Sequence, residues 1–301
     1  MAVTLSFARR VERGDDKSRL LQHVLRRSTL IFLIGLFLNA LPDFDMSALR
    51  IPGVLQRIAI CYLITSAIVL YLGTRGRIVV TGSLLIFYWI LMMQVGAGDL
   101  TTEGNFAKYV DGLFLSGHMY SHTKTWDPEG IGSTLPAIVT MMLGIFCGQM
   151  LQAKRAMEEK SVWLFLIGNL LIFAGMILAT WMPINKMLWT ASYALFTGGL
   201  AYVVFAGCYW LVDVRKWTRF ALPFAIYGKN ALAVYVIAGI VPDVLDAIRI
   251  GSESLQTAMW RDVFEPLASP ANASLLFSLA HVLFYFGVAY WLYRRNWIVR
   301  V

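Results

Sequence analysis

An all-α polytopic membrane protein, built from about eight transmembrane helices, is the fold class this sequence predicts, on three observations. The 301 residues are 58% hydrophobic and only 15% charged, with a mean hydropathy of +0.64, whereas a soluble domain carries roughly a quarter charged residues. The apolar residues are gathered into blocks, most of them about 17–25 residues long, the length a helix needs to cross about 30 Å of hydrocarbon. The basic residues alternate between successive loops, as they do when every second loop faces the cytoplasm.

The blocks place spans at about 24–40, 54–73, 78–96, 133–151, 161–180, 190–211, 220–240 and 273–293. Helices are expected because lipid offers the backbone no hydrogen-bond partners. The blocks lack the period-two alternation and the shorter length of barrel strands. The first loop carries Arg9, Arg10, Arg13, Lys17, Arg19, Arg26 and Arg27, and the second only Arg50 against Asp43 and Asp45. Arg75 and Arg77 follow. The long loop 97–132 comes next, with Asp99, Glu103, Asp111, Asp127 and Glu129. Beyond it, Lys154, Arg155 and Lys160 alternate with Lys186 alone, and Arg215, Lys216 and Arg219 with a loop holding Arg249 and Arg261 among acids. Arg294, Arg295 and Arg300 close the chain. Eighteen of the 26 lysines and arginines lie in the odd loops and the tail, which predicts both ends on the cytoplasmic side. A multi-pass location in a cell membrane, with lipid as a constant partner, follows.

The formal charge of +8 therefore reads as topology, and no nucleic-acid partner is expected. Cys61, Cys147 and Cys208 lie in separate apolar blocks without metal-ligand spacing, so neither a disulfide framework nor a metal site is expected. Met1 to Phe7 is weakly apolar and precedes Arg9 and Arg10, the wrong order for a signal peptide. It reads as the last turns of a helix. Residues 1–23 are thus expected to be a helix remnant and a cytoplasmic basic loop, and 24–301 a single transmembrane bundle. Span seven is interrupted by Pro223 and Gly228, with Lys229 and Asn230 near its centre. Such a span is either broken around a polar site or kinked, with its lysine snorkelling to the interface.

Polar residues that can carry chemistry gather in the even loops. Arg50-Ile-Pro-Gly-Val-Leu-Gln-Arg57 sets two arginines and Gln56 around a rigid Pro-Gly corner. Trp126-Asp-Pro-Glu-Gly130 brings Asp127 and Glu129 to the start of span four. There a carboxylate either meets free helix amides or acts on an amine as a base. His118 and His122, four apart, share a face if helical, but they lack a third ligand of recognisable spacing. His118 remains a candidate catalytic histidine. Asn185 and Lys186 offer donors to a polar or anionic group. Walker, dinucleotide and nucleophile-elbow motifs are absent.

These motifs resemble those of the heparan-alpha-glucosaminide N-acetyltransferase family, bacterial branch. The matching segments are Arg50 to Arg57, Asp127-Pro-Glu-Gly130, Pro183-Ile-Asn-Lys186 with Leu188-Trp189-Thr190, and Gly228-Lys-Asn230, in the same order. The resemblance implies a membrane acetyltransferase of the bacterial inner membrane that takes acetyl from acetyl-CoA and passes it to the amine of an extracytoplasmic glucosamine-like sugar or glycan. It further implies a homodimer. Asp127, Glu129 or His118 would serve as base, and Arg50, Gln56, Arg57, Asn185 and Lys186 would bind the acceptor. Arg26, Arg27, Arg215, Lys216, Lys229 and Asn230 would meet the cofactor. The family's proposed catalytic histidine lies in an N-terminal loop that this chain does not show. No histidine precedes His23, so that role is carried onto no residue, and the chain is expected to lack the N-terminal segment. Two other readings stay open: a transporter of a small polar or lipid-linked solute, suggested by the interrupted span, and an inactive or partner-dependent membrane protein.

Overall fold

The structure, a computed structural model, describes residues 14, 16–41, 43–95, 98–101 and 104–299. The expected helix remnant, Met1 to Arg10, lies outside them. The chain divides into two compact units, one of residues up to Asn39 with Met46–Lys216 and one of Ala40–Asp45 with Trp217–Val301. Among the described residues seven helices are long and apolar enough to cross a membrane, and a bent pair makes an eighth candidate. The chain is thus an all-α polytopic membrane protein.

The first unit holds α1 (Lys17–Ala40), α2 (Val54–Tyr71), α3 (Thr74–Gln94), the short α4 (Phe106–Phe114), α5 (Ile131–Gln152), α6 (Met157–Leu178) and α7 (Ala191–Tyr209), which runs on into a π turn at Trp210–Val214. Helix α1 starts seven residues before the expected span. Lys, Arg, Leu and Gln are good helix formers, and the fully buried Leu20 and Val24 pack in one cluster with Tyr62 and Leu70 of α2. Helices α2 and α5 are the most enclosed spans, 56% and 67% buried, and so form the centre of this unit. Helices α6 and α7 meet through glycines. A Cβ on Gly199 would lie 2.5 Å from Gly168 O and 2.7 Å from Ile172 N, and one on Gly175 would lie 2.7 Å from Phe196 N. Close backbone approach of this kind is how helices associate in lipid, where burial of apolar surface gives no advantage.

The helix ends follow from local chemistry. Thr190 caps α7 by accepting from Tyr193 N at 3.3 Å, and Asn105 caps α4 by accepting from Lys108 N at 2.8 Å. Arg77 donates to Val69 O (2.7 Å) and Leu72 O (2.8 Å), satisfying carbonyls at the negative end of α2.

The second unit holds α8 (Thr218–Lys229), α9 (Ala231–Ala247), a two-residue hairpin pairing β1 (Arg249–Ile250) with β2 (Glu253–Ser254), the short α10 (Leu255–Met259) and α11 (Pro270–Arg294). Proline opens α11, where its missing N–H costs nothing. Helices α8 and α9 meet at an angle of 67°, so expected span seven is broken. The break is fastened by Asn230, which is 1% exposed. Its Nδ2 donates to Trp297 O at 3.0 Å and its Oδ1 accepts from Val299 N at 2.9 Å. Asn230 therefore sits level with the chain just past the end of α11, not half-way along a span as expected. Twelve residues of α8 cover only about 18 Å, too little to cross the hydrocarbon alone.

Candidate functional site

Three loops converge at one end of the first unit: the turn before α2, the loop through α4 to α5, and the turn between α6 and α7. These are even loops of the charge alternation. His118 clasps the first loop from both sides. Its carbonyl accepts from Ile51 N at 3.0 Å, and its Nδ1 lies 2.8 Å from Leu49 O. A carbonyl only accepts, so the neutral ring carries its proton on Nδ1 and keeps a free lone pair on Nε2. Asn39, at the end of α1, donates to Arg50 O (2.9 Å) and Pro52 O (2.8 Å). The corner before α2 is thereby fixed, and Arg50 projects from it.

Arg50 is the hub. Its Nε donates to Asp127 Oδ2 at 2.9 Å, its Nη2 to Asp127 Oδ1 at 2.7 Å, and Nη2 also to Glu129 at 2.5 Å. Its guanidinium lies 4.6 Å over the Tyr120 ring. Burial opposes the Arg50 charge, but the bonds and charges of Asp127 and Glu129 raise its pKa further. Asp127 is fully buried and also accepts from Tyr120 N (2.8 Å) and Glu129 N (2.9 Å). Four N–H donors fill the four lone-pair positions of a carboxylate, which leaves Asp127 no free position for a substrate proton. Glu129 is bonded through one oxygen only, and its side chain keeps 21% exposure.

The carboxylate at the start of α5 is neither of the two expected there. Asp111 of α4, fully buried, accepts from Ile131 N (2.8 Å), Gly132 N (3.3 Å) and Asp127 N (3.1 Å). The expectation that Asp127 or Glu129 meets these amides is corrected, because Arg50 draws both carboxylates away. Burial pushes the Asp111 carboxyl up, with Asp127's charge adding to it, and the three amide bonds only partly offset this. Gly130 is required beside it, since any Cβ there would overlap the Asp111 carboxylate.

Arg57, one turn into α2 and 6% exposed, reaches the same segment from the other side. Its Nη2 donates to Pro128 O and to Ser133 Oγ, and its guanidinium stacks 4.9 Å over the Trp189 ring. Trp189 holds a left-handed backbone, φ 50°, a conformation that a bulky residue adopts only when its surroundings enforce it. They do so here. Trp189 Nε1 donates to Thr140 Oγ1 at 3.2 Å, and the buried Tyr88 hydroxyl donates to Leu188 O at 2.6 Å. Asn185 accepts from Met187 N (2.8 Å) and Leu188 N (3.2 Å), while Thr190 Oγ1 bonds Pro183 O and Asn185 N at 3.0 Å each.

With this geometry on the page, the matches to known proteins become informative. The chain is 26% identical over 295 residues to heparan-alpha-glucosaminide N-acetyltransferase of Mus musculus, covering 78% of this chain and 45% of that protein. Over 298 residues it is 26% identical to the Homo sapiens protein of the same name, covering 78% of this chain and 44% of that protein. The chain is a distant homologue of both. It spans less than half of their length, and no family model matches it.

Of the residues picked from the sequence, His118, Arg50, Asp127, Glu129 and Arg57 come together, and Asn185 shapes the turn that holds Trp189. Lys186 is exposed on that turn. Gln56 is buried, with its side chain against Gly35 and Gly53, where a Cβ would collide with its Oε1. Arg26 and Arg27 are exposed and lie about 20 Å along α1 from Asn39. Arg215 stacks on Trp210 at 5.4 Å, and with Lys216 it follows the far end of α7. These four are thus at the opposite end of the first unit. Lys229 and Asn230 belong to the second unit, where Lys229 Nζ sits 4.4 Å over the Tyr293 ring. Sequence reasoning missed Asn39, Asp111, Tyr120 and Ser133. Of these, Asp111 carried one visible signal, its place in a short amphipathic segment of the long loop.

Proposed function

We propose that this chain is the membrane core of an acetyl-CoA-dependent N-acetyltransferase acting on the amine of a glucosamine-like sugar on the non-cytoplasmic side. The observation that carries the reading is the convergence of Arg50, Asp127, Glu129, Arg57 and Trp189. These residues come from three separate motifs shared in order with that family, and the distant homologues carry the same activity in their names.

In this reading His118 Nε2, with its free lone pair, takes the proton from the acceptor's ammonium. The Leu49 carbonyl holds the ring in the required tautomer. Glu129 holds the ammonium through its unbonded oxygen, and Arg50 with Asp127 fixes Glu129 in place. Acetyl-CoA supplies the acetyl group as a thioester. Its phosphates suit Arg26, Arg27, Arg215 and Lys216, exposed cations at the end of the unit opposite Arg50. Asn230 is left out because both ends of its amide are bonded. The cytoplasmic placement of that basic end rests on the loop charges, and a homodimer rests on family resemblance.

The test uses the purified full chain in lipid nanodiscs with isotopically labelled acetyl-CoA and glucosamine. Labelled N-acetylglucosamine is the expected product. His118→Asn should lower turnover about 10²–10⁴-fold. No transfer to any of a broad panel of amines would sink the proposal. The 67° break between α8 and α9 favours a second reading, transport of a small polar solute. Uptake into proteoliposomes without acetyl transfer would select it.

A further inference from the structure

Asn169 is a polar side chain close to the middle of a span. It lies about 18 Å from one end of α6 and about 14 Å from the other, and it is half-buried. Its Nδ2 donates to Phe165 O, one turn back, at 2.8 Å. Its Oδ1 and its second N–H have no partner among the described residues, and hydrocarbon offers them none. The side chains around it form a pattern. Val162, Leu166, Asn169, Phe173 and Met176 follow one another at steps of four, three, four and three residues, the spacing of a coiled-coil seam. The four apolar ones are 45–65% exposed. The seam lies roughly 130° around α6 from Gly168 and Gly175, which pack on α7, so α7 leaves it open.

We propose that this seam is the contact between two copies of the chain, with Asn169 of each copy bonded to its counterpart in the other. The proposal rests on the homodimer reading above and gives that dimer an interface. Two copies inserted the same way in one membrane are related by a two-fold axis along the membrane normal, so their α6 helices run parallel. A residue on the seam then faces its own counterpart. An amide suits that position because it carries both donors and an acceptor and can pair with itself. A carboxylate or an ammonium there would meet its like. Apolar residues alone hold two helices loosely in lipid, since lipid packs against them as well as a helix does, and hydrogen bonds between side chains supply part of what is missing. One amide among apolar seam residues also fixes the register of the pair.

The experiment uses the full chain in liposomes, with Cys208→Ser removing the exposed native thiol. Leu166→Cys and Phe173→Cys should each give a covalent dimer on mild oxidation. Trp163→Cys, exposed on the same helix but about 100° off the seam, should not. Asn169→Leu keeps the seam apolar and loses the amide. It should raise the dissociation constant of the dimer about tenfold, read by single-molecule photobleaching at graded protein density. A chain that stays monomeric at every density overturns the interface and the homodimer reading together. A dimer in which Leu166→Cys and Phe173→Cys do not cross-link overturns the interface alone. Shielding of those two thiols from a maleimide in the monomer does the same, because another segment of the chain would then fill the seam. Dimerisation of Asn169→Leu as tight as that of the wild type overturns the amide pairing.

Discussion

In the first unit the loop end is held by charges taken out of water. Asp127 is fully buried, bonded by both oxygens to Arg50, and backed by Glu129 and Asp111. In the second unit the ion pairs of Arg261 with Glu253 and Asp262 lie in the open, 38–60% exposed. The one buried polar side chain at its break is the neutral Asn230. Buried pairs are expensive to desolvate and costly to break, whereas exposed ones contribute little. The first unit keeps four charged side chains packed in one loop cluster, with a fifth on α4 supporting them, and this cost in desolvation is what supports the proposed site at that end. In the second unit Asn230 fastens one stretch of chain to another.

The sharpest way to break this contrast is Asp127→Ala. It takes two of Arg50's three carboxylate bonds, leaving only Glu129, and strips two backbone N–H groups of their acceptor; it should destabilise the first unit by about 3–5 kcal/mol, read as a lowered Tm in detergent. Asp111→Asn comes next. It turns one acceptor towards an amide N–H as a donor, and should lower stability by about 1–3 kcal/mol while the Arg50 bonds remain. Asn230→Ala should cost about 1–2 kcal/mol, two ordinary hydrogen bonds. It should also make the segment around 295–299 easier for protease to cut, with His118-dependent transfer unchanged. The smallest effect is expected from Arg261→Ala, with no resolvable change in Tm. A loss there comparable to Asp127→Ala would erase the distinction between the units.

Much of this arrangement was legible in the residues. The length of the apolar blocks gave most spans within a few residues, α1 and the broken seventh excepted, because lipid forces hydrogen-bonded helices on any chain that crosses it. The charge alternation grouped the loops that converge around Arg50. Asp111 was not identifiable as a cap. Cap signatures are local, three residues or so from the helix start, and Asp111 reaches Ile131 from 20 residues upstream. The depth of Asn230 was misjudged because position within an apolar block says nothing of what bonds to it from 67 residues away. The left-handed backbone at Trp189 left no mark either, since two of the bonds that enforce it come from Thr140 and Tyr88, 49 and 100 residues away from their partners.

Segment 127–129 lies between the two arginines. Arg50 grips its side chains at Asp127 and Glu129, while Arg57 grips the carbonyl of Pro128 between them. Proline fixes its own φ, so the segment between the two arginines is restrained at three successive residues. A tilt that draws Glu129 off Arg50 presses or pulls on Pro128 and so on the guanidinium above Trp189. Any group that displaced Glu129 would therefore have to move the anchor point of the other arginine as well.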